Sequence, residues 1–538
     1  MQAHRLSWIL ALAALFFVLR APAPADASDQ LATALKQTID AAVAGGAVLT
    51  ASGKPVEIEP LRAFYEQRAF APAWVDSRGL TPQGQALLRV FDSAGRDGLV
   101  PADYDPGASA RAGGDAARLA ATEITLSAAL LRYATDIRRG RAVPETMDEN
   151  QRIAPRPIDP ALVLAGAASA ADTDAYLALL APADPFYLGL RQALDRYTAI
   201  AAAGGWPAIA PGGKLAVGVA DSRVPSLRRR LQLTGDLAAD PLGANSNRFD
   251  DSLRQAVRRF QQRHGLSETG EVNAATLQAL NVPVSTRIGQ ILINLERARW
   301  LPEDLGDPYV LVNMAAFELN VVEAGKSMLE MRVVVGERDK ETPIFSDEIS
   351  YIEINPYWNV PKSIAYKEKL PQLRRNPYAL NSQNIRVFAP GGGAIDPGTV
   401  NWAAVGQNFP YRLRQDPGPK NALGRIKFMF PNPYDVYMHD TPSRALFKRQ
   451  VRAFSHGCIR VEKPMELAEF LLGSGWPRTR IERAIASGKN TPIMLARPVP
   501  VHLVYLTAWV DAEGVVQFRD DLYNRDARLV AALDGTRE

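Results

Sequence analysis

Cys458 is the single cysteine of this 538-residue chain, and it lies in the segment Ser455-His456-Gly457-Cys458-Ile459-Arg460. Side chains alternate along an extended segment, so His456, Cys458 and Arg460 would share one face. Gly457, directly before the cysteine, permits close approach of a ligand or an unusual φ. The pattern therefore separates polar and reactive side chains from apolar ones around a possible nucleophile.

A second histidine, His439, is the candidate base. It lies in Val436-Tyr437-Met438-His439-Asp440, where alternation places Tyr437 and His439 on one face of a strand. A cysteine attacks as the thiolate, and its free pKa of about 8.5 leaves little thiolate at neutral pH. An imidazole can take that proton and then stabilise the thiolate, provided that an acceptor on its second nitrogen fixes the tautomer. The required residue types are present, but their spacing does not show that positions 439 and 458 meet.

Other interpretations of these residues compete with the catalytic one. Cys458 could be a small buried hydrophobe, Tyr437 a packed strand aromatic, and Arg460 a partner in a structural ion pair. A zinc site made from His439, His456 and Cys458 is disfavoured because no fourth ligand lies nearby in the sequence. We expect neither a metal nor a cofactor.

Residues 1–27 predict a secretory signal. A mainly apolar run, Leu6–Leu19, is followed by small residues and an A-x-A cleavage pattern at Ala25-Asp26-Ala27. The run is shorter than the roughly 20 residues that span a bilayer, and an uncleaved inner-membrane anchor is the alternative. Exported proteins that rely on cysteine for stability carry it in pairs. A lone thiol in an exported protein therefore favours a chemical role for Cys458.

Composition places few further limits on function. The chain is 47% hydrophobic and 22% charged, and 62 basic against 58 acidic residues give a net charge of +4. This excess is too small, over such a length, to indicate a nucleic-acid partner. The length suits two to four domains.

Changes in periodicity predict an α+β multidomain protein. Apolar residues at helical spacing dominate the first half, and β-rich runs bounded by Gly and Pro follow Asp307-Pro308. A Pro- and Gly-rich stretch is too long for a structureless loop and predicts an inserted cap subdomain. The predicted divisions are a helical scaffold at 28–205, a three-helix domain at 221–283, a linking helix at 284–306, a β-rich domain at 307–500 with its insertion at about 361–420, and a β/helix extension at 501–538.

Strand signals recur throughout the C-terminal half. The predicted strands are Val310–Met314, Met331–Val335, Ile349–Ile354, Ile426–Phe430, Val436–His439, Ile493–Leu495, Val501–Trp509 and Val515–Phe518.

Several motifs resemble a known family. His439 followed after fifteen residues by the Ser455–Arg460 segment is similar to the signature of L,D-transpeptidases with a YkuD-type catalytic domain. The runs Ile354–Pro361 and Asn421–Phe428 resemble the large periplasmic branch of that family. The landmarks within Pro225–Val282 resemble a three-helix peptidoglycan-binding domain.

The resemblance implies roles for the site residues. Cys458 would attack the L-centre to D-Ala bond of a tetrapeptide stem, with His439 as general base oriented by the backbone carbonyl of Asp440. Backbone N–H groups near Gly457 and Cys458, with the Tyr437 hydroxyl as a possible helper, would hold the oxyanion. Ser455, His456 and Arg460 would line the site. The thioester would pass to a diaminopimelate amine, giving a 3→3 cross-link and releasing D-Ala.

Three functions remain open from the sequence. The acyl-enzyme could be resolved by an amine in a transpeptidase, or by water in an L,D-carboxypeptidase or a wall-protein attachment or hydrolase enzyme. The third function is a non-catalytic wall-binding protein, which the intact His439 and Cys458 disfavour. The expected partners are peptidoglycan stems and other wall-synthesis proteins, and the expected inhibitors are carbapenems.

Overall fold

The computed structural model describes residues 25–50, 53–108, 113–238 and 246–535. They fall into two compact units. The first contains described residues up to Ala94 together with Val100–Ala134 and Ile158–Ala178, and the second contains Gly95–Leu99, Thr135–Pro157 and residues from Leu179 onward. The predicted secretory signal lies largely outside the described residues. Among the described helices, none is both long and apolar enough to cross a bilayer.

The first unit is mainly helical and is organised around a buried carboxylate. Glu123 accepts hydrogen bonds from the backbone N–H groups of Ala73, Trp74 and Val75 at 2.6, 2.8 and 3.0 Å, and from the Tyr65 hydroxyl at 2.7 Å. Burial raises the pKa of Glu123. The carboxylate joins a helix to a turn, which is a structural role. The elements are helices Ala25–Gly45, Ile58–Gln67, Pro82–Ser93, Ala116–Arg139 (its end lies in the second unit), Pro160–Ser169 and Thr173–Ala178, and strands β1 (Ala47–Leu49), β2 (Pro55–Glu57), β3 (Val75–Asp76) and β4 (Gly79–Leu80).

Three short helices of the second unit enclose a small core of their own. Helices Val224–Leu233, Asp251–Arg263 and Ala274–Leu280 pack through buried leucines and Phe260. At the end of the second of these helices, the ring of His264 is buried and stacked, with its centre 3.9 Å from that of Phe260. Burial and nearby arginines hold the pKa of His264 well below the ordinary value. His264 therefore packs as a neutral side chain.

The β-rich part of the second unit is a closed ring of strands. Each pairs with the next in the order β13-β14-β16-β8-β7-β6-β17-β9, and β9 pairs with β13 to complete the ring. Most pairs are antiparallel, while β14 with β16 and β6 with β17 are parallel. The strands of the second unit are β5 (Gln151–Arg152), β6 (Tyr309–Asn313), β7 (Glu318–Glu323), β8 (Lys326–Gly336), β9 (Ile344–Ile354), β10 (Trp358–Asn359), β11 (Ile385–Phe388), β12 (Arg412–Gln415), β13 (Ile426–Met429), β14 (Met438–His439), β15 (Ala453–Ser455), β16 (Ile459–Val461), β17 (Thr491–Val504), β18 (Ala508–Val510) and β19 (Val516–Phe518).

Apolar side chains from alternate strand positions fill this barrel, and two helices, Pro464–Leu472 and Arg478–Ala486, add Leu467 and Ile481 to the same core. Outside the insertion after Pro361, the other described α-helices of the unit are Pro144–Met147, Pro185–Ala202, Val284–Arg299 and Arg525–Gly535. Helices together with a β-rich domain confirm the predicted α+β class.

The insertion after Pro361 has secondary structure and a core of its own. It contains helices Lys362–Ile364 and Leu370–Arg375, joined by a π-helical turn at Ala365–Lys369. Its strands β11 and β12 form a small sheet with β10, which lies just before the insertion, in the order β10-β12-β11. Buried Leu373 and Leu413 lie in this core, and Trp358 packs against it. We call residues 361–420 the cap.

Candidate active site

A row of polar side chains crosses four neighbouring strands of the barrel. Lys427 on β13 lies opposite Glu353 on β9 and opposite His439 on β14, which in turn lies opposite Arg460 on β16. The preceding or following residues on these strands are fully buried and apolar: Ile352, Phe428, Met438 and Ile459. The two-residue alternation therefore places the polar row on the outer face while its neighbours hold the strands in the core.

Cys458 lies directly before β16 on this same face. The backbone N–H of Ile459 donates to the carbonyl of Tyr437 at 3.0 Å, which places Cys458 beside Tyr437 and diagonal to His439. Its thiol lies 3.8 Å from the carbonyl oxygen of Asp435. Parallel pairing of β14 with β16 thus brings together the thiol and the imidazole, which their spacing in the sequence could not show.

The imidazole of His439 is held in one orientation. Its Nδ1 lies 2.5 Å from the backbone carbonyl oxygen of Asp440. A carbonyl only accepts, so Nδ1 carries the hydrogen and Nε2 keeps its lone pair. The Asp440 carboxylate accepts from the backbone N–H of Arg425 at 2.9 Å, and this contact fixes the backbone that holds the imidazole. In this tautomer, Nε2 is the nitrogen of His439 that can accept a proton.

Burial controls the charges of the pair. It lowers the pKa of His439 to about 3, and the positive charges of Arg460 and Lys427 add to this effect. Burial also raises the pKa of the Cys458 thiol, although hydrogen bonds from Tyr437 and the charges of Lys427 and Arg460 oppose it. Both directions favour a neutral thiol and a neutral imidazole at rest. This differs from the thiolate–imidazolium pair suggested by the sequence, because the site is more desolvated than spacing can reveal.

Hydrogen bonds hold the backbone on both sides of the nucleophile. Ser455 Oγ donates to the Cys458 carbonyl at 2.5 Å and accepts from the Gly457 N–H at 3.2 Å. The Gly457 carbonyl accepts from Thr342 Oγ1 at 2.8 Å. Gly457 has φ +108°, a conformation that favours glycine. Because its N–H is engaged by Ser455, the N–H of Cys458 is the better placed of the two expected oxyanion donors.

Tyr437 presents a neutral phenol to the thiol. Its hydroxyl hydrogen-bonds to Cys458, and burial raises its pKa well above the ordinary value. The Lys427 ammonium lies 4.1 Å from the centre of the Tyr437 ring and 3.9 Å from the Glu353 carboxylate. Tyr437 therefore contacts the reacting sulfur in addition to packing.

His456 and Arg460 line the site in different ways. His456 Nε2 lies 2.7 Å from the carboxylate of Glu368 in the cap. Arg460 donates to the carbonyl of Phe454 at 3.4 Å, and its buried Nε has no hydrogen-bond partner in the described part of the chain. No carboxylate of the described residues pairs with the Arg460 guanidinium, which weighs against a structural ion pair.

Sequence reasoning missed three residues that the fold brings to this site. Lys427 and Glu353 enter through the cross-strand register, and Thr342 enters through a loop that reaches Gly457. Lys427 lies inside one of the motifs that resemble the family, but no local pattern separates it from a surface lysine. No group of three or more His, Cys, Asp or Glu side chains suited to a metal ion occurs within the described ranges.

Comparisons with known proteins identify domains along the chain. Residues 307–501 match the L,D-transpeptidase catalytic domain, YkuD. Residues 220–280 match a peptidoglycan binding domain, and residues 59–194 match a scaffold domain. These matches confirm the predicted family resemblance.

One curated protein is also similar to part of this chain. A Haemophilus influenzae protein named "Putative L,D-transpeptidase" is 35% identical over 241 residues, which cover 45% of this chain and 48% of that protein. The chain thus spans about half the length of this curated relative.

Two solved structures show weak overall similarity. An L,D-transpeptidase from Stackebrandtia nassauensis is 13% identical, with 55% of this chain and 96% of that chain covered and a TM-score of 0.22. One from Xylanimonas cellulosilytica is 15% identical, with 55% and 100% covered and a TM-score of 0.18. The domain matches are far more specific than these two similarities. The chain therefore carries a YkuD-type L,D-transpeptidase catalytic domain at residues 307–501 and a peptidoglycan-binding domain at residues 220–280.

Proposed function

We propose that the protein is an L,D-transpeptidase that forms 3→3 peptidoglycan cross-links through a thioester on Cys458. The observation that carries the proposal is the position of His439 and Cys458 on one face of two paired strands, with the imidazole oriented by the Asp440 carbonyl. The donor is a tetrapeptide stem, and the acceptor is the side-chain amine of a diaminopimelate residue. The peptidoglycan-binding domain supports the same polymer as the partner.

In the acylation step, Sγ of Cys458 bonds to the carbonyl carbon that precedes the terminal D-Ala, and its proton passes to Nε2 of His439. The carbonyl oxygen becomes an oxyanion, which the N–H of Cys458 can meet. Collapse breaks the C–N bond, and the leaving amine of D-Ala takes the proton from His439. Because the lowered pKa of His439 and the raised pKa of Cys458 both favour the neutral pair, the proton moves as the sulfur attacks rather than beforehand.

In the second step, the acceptor amine attacks the thioester and gives a proton back through His439 to the sulfur. The cross-link forms, and the thiol is regenerated. Water in place of the amine would give an L,D-carboxypeptidase with the same acyl-enzyme. The cap, which reaches the nucleophile loop through Glu368, is the part of the fold that could exclude water and admit the acceptor.

We place this activity in the periplasm, as the N-terminal pattern suggests. We also propose carbapenems as inhibitors, since the sulfur that attacks a peptide carbonyl can open a strained β-lactam ring. The product would be a thioester on Cys458, the single cysteine of the chain.

Mass spectrometry of muropeptides tests the proposal. Purified protein incubated with tetrapeptide-rich sacculi should produce 3→3 dimers and free D-Ala, and Cys458→Ala should produce neither. Cys458→Ser is the matched control, because it keeps a nucleophile of similar shape but lower acidity and should also be inactive. Tripeptides without dimers would indicate the carboxypeptidase, and unchanged sacculi with a folded protein would indicate a non-catalytic binding protein.

A further inference from the structure

The peptide group between Gly457 and Cys458 is held by a side chain from a distant loop. Thr342 is fully buried, and its Oγ1 accepts from the backbone N–H of Gly336 at 2.9 Å. Since that contact occupies the hydroxyl as an acceptor, its own hydrogen is directed to the Gly457 carbonyl at 2.8 Å. The direction of this hydrogen bond is therefore set by its partners.

Holding that carbonyl also aims the N–H of Cys458. The atoms of a trans peptide lie in one plane, with the C=O and the N–H pointing in opposite directions. A glycine at φ +108° gives little resistance of its own to rotation of this plane. The flanking peptides are fixed by Ser455, which bonds to the Gly457 N–H and to the Cys458 carbonyl. The Cys458 N–H has no acceptor among the described residues.

We propose that Thr342 is a positioning residue that aims the Cys458 N–H at the oxyanion formed during attack on a carbonyl. This inference rests on the proposed function and assigns an orienting role to a residue outside the signature motifs. Thr342 does not touch the reacting atoms. It acts through the peptide that follows Gly457.

The C-terminal extension braces this arrangement. The Tyr523 hydroxyl donates to the Gly336 carbonyl at 2.7 Å, and the Arg525 guanidinium donates to the Thr342 carbonyl at 3.2 Å. Arg525 is also paired with Glu341 at 2.7 Å and is almost completely buried. Both ends of the turn that carries Thr342 are thus tied to residues beyond the catalytic domain match. The C-terminal extension therefore helps to orient the peptide group that precedes Cys458.

Two reactions of Cys458 separate this role from a general structural one. Alkylation by iodoacetamide needs the thiolate but forms no oxyanion, whereas acylation by meropenem passes through one. Thr342→Val keeps the shape and removes the hydroxyl, and we expect the acylation rate to fall about 10- to 100-fold while alkylation stays within about twofold of wild type. Thr342→Ser, which keeps the hydroxyl, should restore acylation to within about threefold. In D-Ala release, Thr342→Val should lower kcat with little change in KM.

The outcomes are distinguishable. Unchanged acylation in Thr342→Val, or equal losses in acylation and alkylation, would overturn the inference. If Thr342→Val fails to fold, Tyr523→Phe keeps Thr342 and removes the hydroxyl that braces the turn at Gly336 and at Thr342. It should show a smaller loss with the same selectivity for acylation, and an equal loss in both reactions would again count against the idea. If wild type is neither acylated nor releases D-Ala, the proposed function itself is wrong.

Discussion

The barrel face and the cap border the same nucleophile through different kinds of contact. On the barrel, His439 and Cys458 are fixed by paired strands whose neighbouring side chains, such as Met438 and Ile459, are fully buried. The cap has its own core, and among the described residues it reaches the nucleophile loop through a hydrogen bond between Glu368 and His456. These two side chains are 44% and 31% exposed.

This difference sets the size of the effects to expect. Moving His439 or Cys458 would require a change in the register of the paired strands and in the packing of the core beneath them. The chemistry on the barrel face therefore depends on rigid geometry. An exposed hydrogen bond or ion pair contributes at most about 1 kcal/mol. Substitutions on the barrel face should therefore change rates by orders of magnitude, and substitutions in the cap contact by a few-fold.

The largest effect after loss of the thiol should follow removal of the base. In His439→Ala, Cys458 remains as the attachment point, but no group takes its proton during attack. The rate of acylation by meropenem should fall about 10²- to 10⁴-fold, measured by intact-protein mass spectrometry over time. Iodoacetamide titration should still count one accessible thiol, which shows that the attachment point is intact, and an unchanged circular dichroism spectrum controls for folding. A loss below tenfold would show that another group acts as the base.

The pH dependence tests whether the barrel site is neutral at rest. His439, with a pKa lowered to about 3, stays a neutral base as the pH falls until that value is approached. Acylation by meropenem should therefore change little between about pH 5 and 8. The pKa of Cys458 is raised, so alkylation by iodoacetamide should rise about tenfold per pH unit over the same range without a plateau. An acid limb near pH 6 to 7 together with a plateau in alkylation would indicate a thiolate–imidazolium pair instead.

Stability at acid pH is the control for that experiment. Burial lowers the pKa of His264, His439 and His502 in the folded protein. The unfolded chain therefore binds more protons at these positions once the pH falls below about 6.5, and stability decreases toward the lower pH. Circular dichroism at each pH should establish the range in which rates report on the folded site.

Sequence periodicity predicted the two faces of the active-site strands but not their pairing. The alternation in Val436–Asp440 and in Ser455–Arg460 separates core from site residues, as the structure does. The parallel pairing of β14 with β16 depends on long-range register, which a local pattern cannot contain. Thr342 and Gly457 are 115 residues apart in the sequence, so no local pattern could predict their contact either.

The strand predicted at Val501–Trp509 was wrong in its middle for a specific reason. The structure ends β17 at Val504 and begins β18 at Ala508. Between them, the backbone N–H groups of Leu506 and Thr507 donate to the side-chain amides of Asn313 and Asn294, each at 3.0 Å. Side chains from other elements thus take hydrogen bonds that a neighbouring strand would otherwise receive.

The cap escaped detailed prediction because its elements are too short to show a period. Its strands β11 and β12 are each only four residues long, and its helices are three and six residues long. Its core is assembled from residues far apart in the sequence, such as Leu373 and Leu413. Length and poor periodicity predicted an insertion but not its fold.

The smallest effect should come from the cap contact itself. In Glu368→Ala the carboxylate that meets His456 is lost, while Glu368→Gln keeps a hydrogen-bonding side chain without the charge. A contact that contributes at most about 1 kcal/mol can change an equilibrium constant by no more than about fivefold. Acylation of Cys458 should therefore stay within that factor in both variants, with Glu368→Ala the more affected.

Hydrogen exchange locates this effect. Amides of Lys362–Arg375 should exchange faster in Glu368→Ala than in wild type, while amides of β8 and β9 should not change, because the barrel core does not depend on the contact. A double-mutant cycle with His456→Ala would measure the interaction energy between the two side chains. Glu368→Ala should have no further effect on the rate of acylation when His456 is already replaced. If Glu368→Ala instead slowed acylation more than tenfold, or if exchange in the cap were unchanged, the cap would be as rigid a part of the site as the barrel. The rigid barrel face and the weakly attached cap would then no longer differ in how they hold the site.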